Sequence, residues 1–175
     1  MKINYVCLLL CFTFSPLYAA TSRTLAFPVT TTVNKAELSN YMIKMSLSQD
    51  NVVLSYSVSE QKFEDANVFI TSQSNIPDKE VLNYQYHYSI AELRSECQDI
   101  AGNIVKEDKD FIRLFINGSE YHKGGITPTT DFDGEDAFGF LKREDKLVLR
   151  TGKNISKDVP VACIGQVNFK VELTL

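Results

Sequence analysis

Two histidines and one acidic loop are the residues whose types could support catalysis or metal binding. His87 and His122 lack a serine or cysteine nucleophile motif around them, which disfavours hydrolase chemistry. The loop at 131–136 is rich in the carboxylates that hard cations prefer, but it lacks the spacing and the distal Glu of the twelve-residue calcium pattern. We therefore expect a solvated acidic loop, no metal, no cofactor and no enzymatic activity.

Three tyrosines at alternate positions form the aromatic group best suited to recognition. Tyr84, Tyr86 and Tyr88 would share one face of a strand, from which they could stack on a sugar ring or contact a receptor protein. The same alternation also fits tyrosines that pack inside the fold. Both interpretations stay open at this point.

The four cysteines divide into two pairs. Cys7 and Cys11 lie in an apolar N-terminal run, whereas Cys97 and Cys163 lie in the body of the chain. An even pair in an exported protein is typical of a disulfide, and the wide spacing disfavours a metal or redox pair. We predict a Cys97–Cys163 disulfide.

The N-terminus has the features of a secretory signal. Basic Lys2 precedes a short apolar run, and small residues follow at Ala19 and Ala20, so residues 1–19 are predicted to be the signal peptide. The chain has 18 Lys and Arg against 22 Asp and Glu. This acidic balance disfavours nucleic acid and anionic membranes as partners, because both require clustered basic residues.

The last residues of the chain alternate apolar and polar without exception from 167 to 175, which indicates a half-buried strand. A second alternating segment, 25–33, follows the signal and contains Pro28, which suits an edge or partner strand. An exported domain with a strand-like segment at each end is a candidate for assembly by strand exchange.

The segments between these ends predict short strands separated by turns, including the turn pair Asn117-Gly118. One helix is also predicted, over 89–101. Ser89 and Glu92 match a capping box, Gly102 is placed to end the helix, and apolar residues recur three and four apart, at Ile90, Leu93, Cys97, Ile100 and Ile104. The pattern favours an all-β, immunoglobulin-like sandwich with one short helix.

The order of several segments resembles pilin subunits of the alternate chaperone–usher fimbriae, the class 5 colonisation-factor group. The matching segments are VTTTV at 29–33, VLSYS at 53–57, KFE at 62–64, KLVL at 146–149 and GQVNFKV at 165–171. The resemblance is spread over most of the chain after the signal and depends on strand spacing and a few residues.

The resemblance implies an incomplete pilin-type sandwich at 36–175, preceded by an N-terminal extension at 20–35 that serves as the donor strand. A periplasmic chaperone would fill the open groove first, an outer-membrane usher would assemble the fibre, and the extension of a neighbouring pilin subunit would then take the chaperone's place. The donor face would be Leu25, Phe27, Val29, Thr31 and Val33. The acceptor edge would be Val167, Phe169, Val171 and Leu173.

The expected function is thus a structural fimbrial subunit that is exported through the periplasm to the cell surface and contributes to adhesion. The alternative is a monomeric secreted or periplasmic sandwich that recognises a glycan or a host protein through the three tyrosines. The N-terminal segment distinguishes the two: a monomer should pair it within its own chain, whereas a pilin provides it to a neighbour.

Overall fold

The structure, a computed structural model, describes residues 29–33, 40–80, 82–155 and 162–174. The predicted signal peptide and the predicted donor residues Leu25 and Phe27 lie outside these ranges. Within the described residues the chain forms thirteen β-strands and no helix. They are β1 (Val29–Val33), β2 (Ile43–Leu47), β3 (Tyr56–Ser57), β4 (Lys62–Phe63), β5 (Ala66–Pro77), β6 (Gln85–Gln98), β7 (Ile104–Lys109), β8 (Ile112–Ile116), β9 (Ser119–Tyr121), β10 (Thr130–Asp131), β11 (Gly134–Glu135), β12 (Phe140–Thr151) and β13 (Ala162–Thr174).

Two open sheets face each other. The first has the order β1-β13-β6-β10, with β7 also paired to β6, and the second has the order β2-β5-β12-β8-β9, with β11 also paired to β12. Strands β3 and β4 form a separate short hairpin. The predicted all-β, immunoglobulin-like sandwich is confirmed.

One hydrophobic core lies between the two sheets. Along β5 the buried side chains alternate, as in Val68 and Ile70, and the same period of two places Leu147 and Leu149 of β12 in the core. The first sheet contributes Phe169 and Val171 to the same cluster. Each large apolar side chain buried in this way contributes roughly 1.5–3 kcal/mol, so this core is the main stabilising element of the sandwich.

The predicted helix at 89–101 is wrong, because most of this segment belongs to the long strand β6. The pairing of β6 with β13 shifts register opposite Asn168 and Phe169, which pair with Glu92 and Ile90 respectively and leave Ala91 as an extra residue. Such a bulge moves the inward-facing positions by one residue. Even-numbered positions such as Ile90 are therefore buried before it and odd-numbered ones after it.

The spacing that imitated a helix has a simple origin. The step of three from Ile90 to Leu93 crosses the bulge, and the step of four from Leu93 to Cys97 skips Ser95, a buried polar residue of the same face. Ile100, which the helix would have buried, is 84% exposed in the turn after β6. A bulge and one buried serine thus converted a period of two into apparent helical spacing.

The predicted disulfide between Cys97 and Cys163 is present, and both residues are fully buried. The two cysteines are direct partners in the ladder between β6 and β13. The bond therefore joins the beginning of the final strand to the end of β6.

We expect the double substitution Cys97→Ser and Cys163→Ser to lower the free energy of unfolding by about 4 kcal/mol, because the bond closes a loop with a sequence separation of 66. Urea denaturation of the oxidised native chain and of this variant measures the difference. Equal midpoints and equal slopes for the two proteins would contradict a stabilising role.

Candidate functional site

The residues predicted as the acceptor edge all lie on the final strand β13. Val167, Phe169 and Val171 are almost completely buried, and Leu173 is partly buried against the core. Along its whole length β13 pairs with β6 on one side. Its other side is the lateral boundary of the sandwich, where only β1 pairs with it among the described residues.

Strand β1 lies parallel to β13 in a continuous register. Val29, Thr31 and Val33 are the backbone partners of Val167, Phe169 and Val171. The structure therefore brings the two predicted segments together wherever both are described. The strand on this edge belongs to the same chain, which is the pairing that the monomeric alternative predicts.

The pairing covers only part of the edge. Strand β13 has 13 residues and β1 has 5, so β1 reaches residues 167–171. Among the described residues no strand pairs with β13 at 162–166 or 172–174 on that side. Unpaired strand edges of this kind can accept a further or longer strand.

Polar side chains cover the opposite face of β13. Asn168 donates a hydrogen bond to Glu92 at 2.8 Å, and Lys170 contacts Glu172 at 2.7 Å. Glu172 also lies 3.2 Å from His87 Nε2 on β6. His87 is therefore part of a row of polar contacts on a sheet surface.

The three tyrosines, for which receptor contact was one of two interpretations, lie inside the sandwich in this structure. Tyr84, Tyr86 and Tyr88 are 6%, 0% and 2% exposed, so none presents its ring to a ligand. Tyr84 packs edge-on against Tyr41, and the rings of Tyr86 and Tyr88 contact each other at 5.4 Å. The alternative, packing within the sandwich, describes all three.

The hydroxyls of Tyr86 and Tyr88 share a partner that was not predicted from the sequence. Asp145 on β12 is 1% exposed, and its Oδ2 accepts hydrogen bonds from Tyr86 at 2.5 Å and Tyr88 at 2.7 Å. Its Oδ1 accepts hydrogen bonds from Asn117 Nδ2 at 2.7 Å and Arg143 Nε at 3.0 Å. A single carboxylate therefore joins the two sheets through the core.

The signal for this anchor was present in the chain. Asp145 lies on the same inward-facing side of β12 as Leu147 and Leu149. A carboxylate on such an apolar face requires polar partners. Asn117 is one of them, and it is held by the turn with Gly118, where both residues have positive φ. The tyrosine partners of Asp145 come from the other sheet, and contacts between sheets cannot be derived from local sequence.

Burial raises the pKa of Asp145, but hydrogen bonds from Tyr86, Asn117, Tyr88 and Arg143 outweigh this effect. The pKa of the carboxyl therefore lies below its ordinary value, and the group is ionised at neutral pH. Burial, followed by the hydrogen bond to this anion, raises the pKa of Tyr86. The tyrosine hydroxyls thus stay protonated and serve as donors.

We expect Asp145→Asn to lower the free energy of unfolding by about 3 kcal/mol at pH 7, because it removes a buried anion from four donors. A lowered folded-state pKa stabilises the fold above the ordinary Asp pKa of about 3.9 and ceases to do so as the pH falls through the folded value. The difference in free energy of unfolding between the native chain and Asp145→Asn, measured by urea denaturation, should therefore narrow as the pH falls from about 5 to about 2.

Asp133→Asn provides the control for this prediction. Asp133 contacts the same Arg143 at 3.3 Å, but its side chain is 59% exposed, so its loss should cost less than about 1 kcal/mol. If both variants lost the same stability, or if the difference for Asp145→Asn did not change with pH, the anchor role would be contradicted.

The acidic loop is organised by hydrogen bonds within the protein. Asp136 Oδ1 accepts hydrogen bonds from the backbone N–H groups of Phe138 and Phe140 at 2.8 and 3.0 Å, and Asp131 accepts one from Gln85. The bond from Phe140 is the main cause that lowers the pKa of Asp136. Among the described residues no group of three or more His, Cys, Asp or Glu is placed to hold a metal.

Within the part of the chain that the structure describes, no helical segment meets the length and hydropathy that a membrane span requires.

Comparisons with known proteins find similarity to solved structures but no matching family model or curated sequence. No protein-family model matches this chain, and no curated protein matches its sequence. Among solved structures the chain is similar to the CooA pilin subunit from enterotoxigenic Escherichia coli, with a TM-score of 0.44 and 10% sequence identity over 73% of this chain and 96% of that one. At this TM-score and identity, the similarity decides neither the fold nor the function of this chain.

Proposed function

We propose that this chain is a structural fimbrial subunit, exported and joined to its neighbours by donor-strand exchange at the β13 edge. The observation that carries the proposal is the in-register pairing of β1 with β13 on an edge where the side chains of Val167, Phe169 and Val171 are buried. The segment that we propose as donor and the strand that we propose as acceptor thus pair in register within one chain.

A pairing that forms within one chain can also form between two chains. Exchange of an identical element between copies keeps the backbone hydrogen bonds, because donor and acceptor are the same residues in both arrangements. Among the described residues, β1 pairs with only five residues of the thirteen-residue strand β13, so a donor strand longer than five residues would extend along more of this edge. The predicted donor, which begins at Leu25, has that greater length.

Assembly of this kind requires helpers before the fibre forms. An edge strand with an apolar inner face promotes aggregation unless it is covered. A periplasmic chaperone would cover β13 temporarily, and an outer-membrane usher would exchange that cover for the segment of the next subunit. Adhesion would follow from the fibre at the cell surface.

A monomeric, self-complemented sandwich is the second candidate, and one observation favours it. Strand β1 lies on β13 of its own chain, with no second copy required. In that case the chain would act as a secreted binding module, and its recognition surface would be somewhere other than the buried tyrosines.

We expect removal of residues 20–35 to lower the free energy of unfolding by at least about 3 kcal/mol, because the apolar edge of β13 would face water. A synthetic peptide of residues 20–35 should restore the lost stability when added in excess. Thermal or urea denaturation of the truncated protein, with and without the peptide, measures both effects. Full stability of the truncated protein without the peptide would rule out a role for this edge.

A charge in the donor segment separates the two candidate functions. Val29→Asp should prevent multimer formation by the exported chain, because Val29 is the register partner of the buried Val167. Thr30→Asp is the matched control, since the neighbouring residue of an alternating strand belongs to the other face. Size-exclusion chromatography with light scattering should give multimers for the native chain and for Thr30→Asp, and monomers for Val29→Asp. A native chain that remains monomeric would favour the binding module.

A further inference from the structure

A polar cleft lies on the side of the sandwich away from β1. Its volume is about 530 Å³, and β6 forms one wall while β8 and β9 form the other. In the sheet orders β8 and β9 are at the opposite end from β2, and β6 is separated from β1 by β13. The cleft therefore stays open whether β13 receives its own segment or that of a neighbour. Its volume is in the range of small-molecule sites.

The base of the cleft is held by Ser95. Its backbone carbonyl accepts a hydrogen bond from Asp110 N at 2.7 Å, and its Oγ accepts one from Ile112 N at 3.0 Å. Ser95 is 2% exposed, so these bonds fix the two walls relative to each other from within the fold.

A glycine turn places two further residues beside the cleft. Gly124 N donates to the carbonyl of Ile90, and Ile90 N donates to the carbonyl of Gly125, which fastens the turn to β6. A Cβ on Gly125 would lie 2.9 Å from the carbonyl oxygen of His122, so glycine allows the tight turn. His122 and Lys123 consequently line the cleft at fixed positions.

The position of Arg113 also depends on a glycine. Its side chain lies across Gly152, where a Cβ would collide with the guanidinium group. Its Nη1 lies 3.5 Å from Glu120 Oε2, and 53% of the side chain remains accessible. Lys123 has no ion-pair partner among the described residues. With Arg94, which also lines the cleft and whose side chain is 58% exposed, three accessible cations thus face a cleft on a protein whose net charge is −4.

The balance of groups indicates the chemistry of the ligand. Arg113 and Lys123 suit a carboxylate, which an Arg can bind in a bidentate manner. Asp110 and Glu120 would repel a compact polyanion but accept hydrogen bonds from hydroxyl groups. We propose that this cleft binds a carboxylated sugar, with its carboxylate on Arg113 and Lys123 and its hydroxyls on Asp110 and Glu120.

Titration of the full mature chain with D-glucuronate, followed by amide chemical shifts, tests this proposal. Glucuronate should shift amides of the cleft walls, around Ser95, Arg113 and Lys123. D-glucose, which has the ring without the carboxylate, and acetate, which has the carboxylate without the ring, should each bind at least about tenfold more weakly. Equal binding of glucose or acetate, or no shifts in the cleft, would overturn the proposal.

Arg150 offers a matched control for the cation. It is the direct partner of Arg113 in the ladder between β8 and β12, its side chain is 52% exposed, and it does not line the cleft. Arg113→Gln should weaken glucuronate binding about tenfold, and Arg150→Gln should leave it unchanged. If Arg150→Gln weakened binding as much as Arg113→Gln, the effect would come from overall charge and the site would be rejected.

Discussion

The inner side chains of β13 are buried in the core, but the strand lies at the lateral boundary of the sandwich. The rest of the structure depends on what pairs with that outer edge of β13. Its inner side chains form part of the core, so one edge of a buried strand would be left without partners if nothing covered it. Strand β1 covers its middle, β6 pairs with it along the other side, and the disulfide fastens its beginning. The covering segment is the element whose source, the same chain or a neighbour, decides the function.

The two sheets would have to keep their relative position while that segment is exchanged. The carboxylate of Asp145 contributes to this, because hydrogen bonds to Tyr86 and Tyr88 connect β12 to β6 through the core. Apolar packing alone tolerates small shifts between sheets, whereas a buried anion with four donors has one favourable geometry. Assembly at one side of the sandwich and ligand binding at the other would therefore use the same rigid body.

Local pattern was sufficient for the elements with a strict period of two or a specific turn. The alternation at 167–175 predicted β13, and Asn117-Gly118 predicted a tight turn that the structure has between β8 and β9. The disulfide between Cys97 and Cys163 followed from the even cysteine pair and the predicted signal peptide. Local pattern failed at β6, because a bulge at Ala91 shifts the period and a buried serine interrupts the apolar face.

The candidate site was less accessible to sequence reasoning. The tyrosines have the alternation of a recognition surface, but Asp145, more than fifty residues away, draws their hydroxyls into the core. The walls of the cleft come from β6, β8 and β9, which are adjacent only after folding. Which residues come together in the core and in the cleft depends on which strand faces meet in the fold. No local sequence pattern indicates this.

Cross-linking between chains tests the central claim most directly. Thr30 and Asn168 are register partners, so Thr30→Cys in one population and Asn168→Cys in another place a single new thiol on each chain. In material assembled from a mixture of the two, a short thiol-specific cross-linker should join unlike chains, which non-reducing gels resolve as dimers. If the mixture gave no dimers while the double variant cross-linked within single chains, β1 would belong to its own subunit and strand exchange would be wrong.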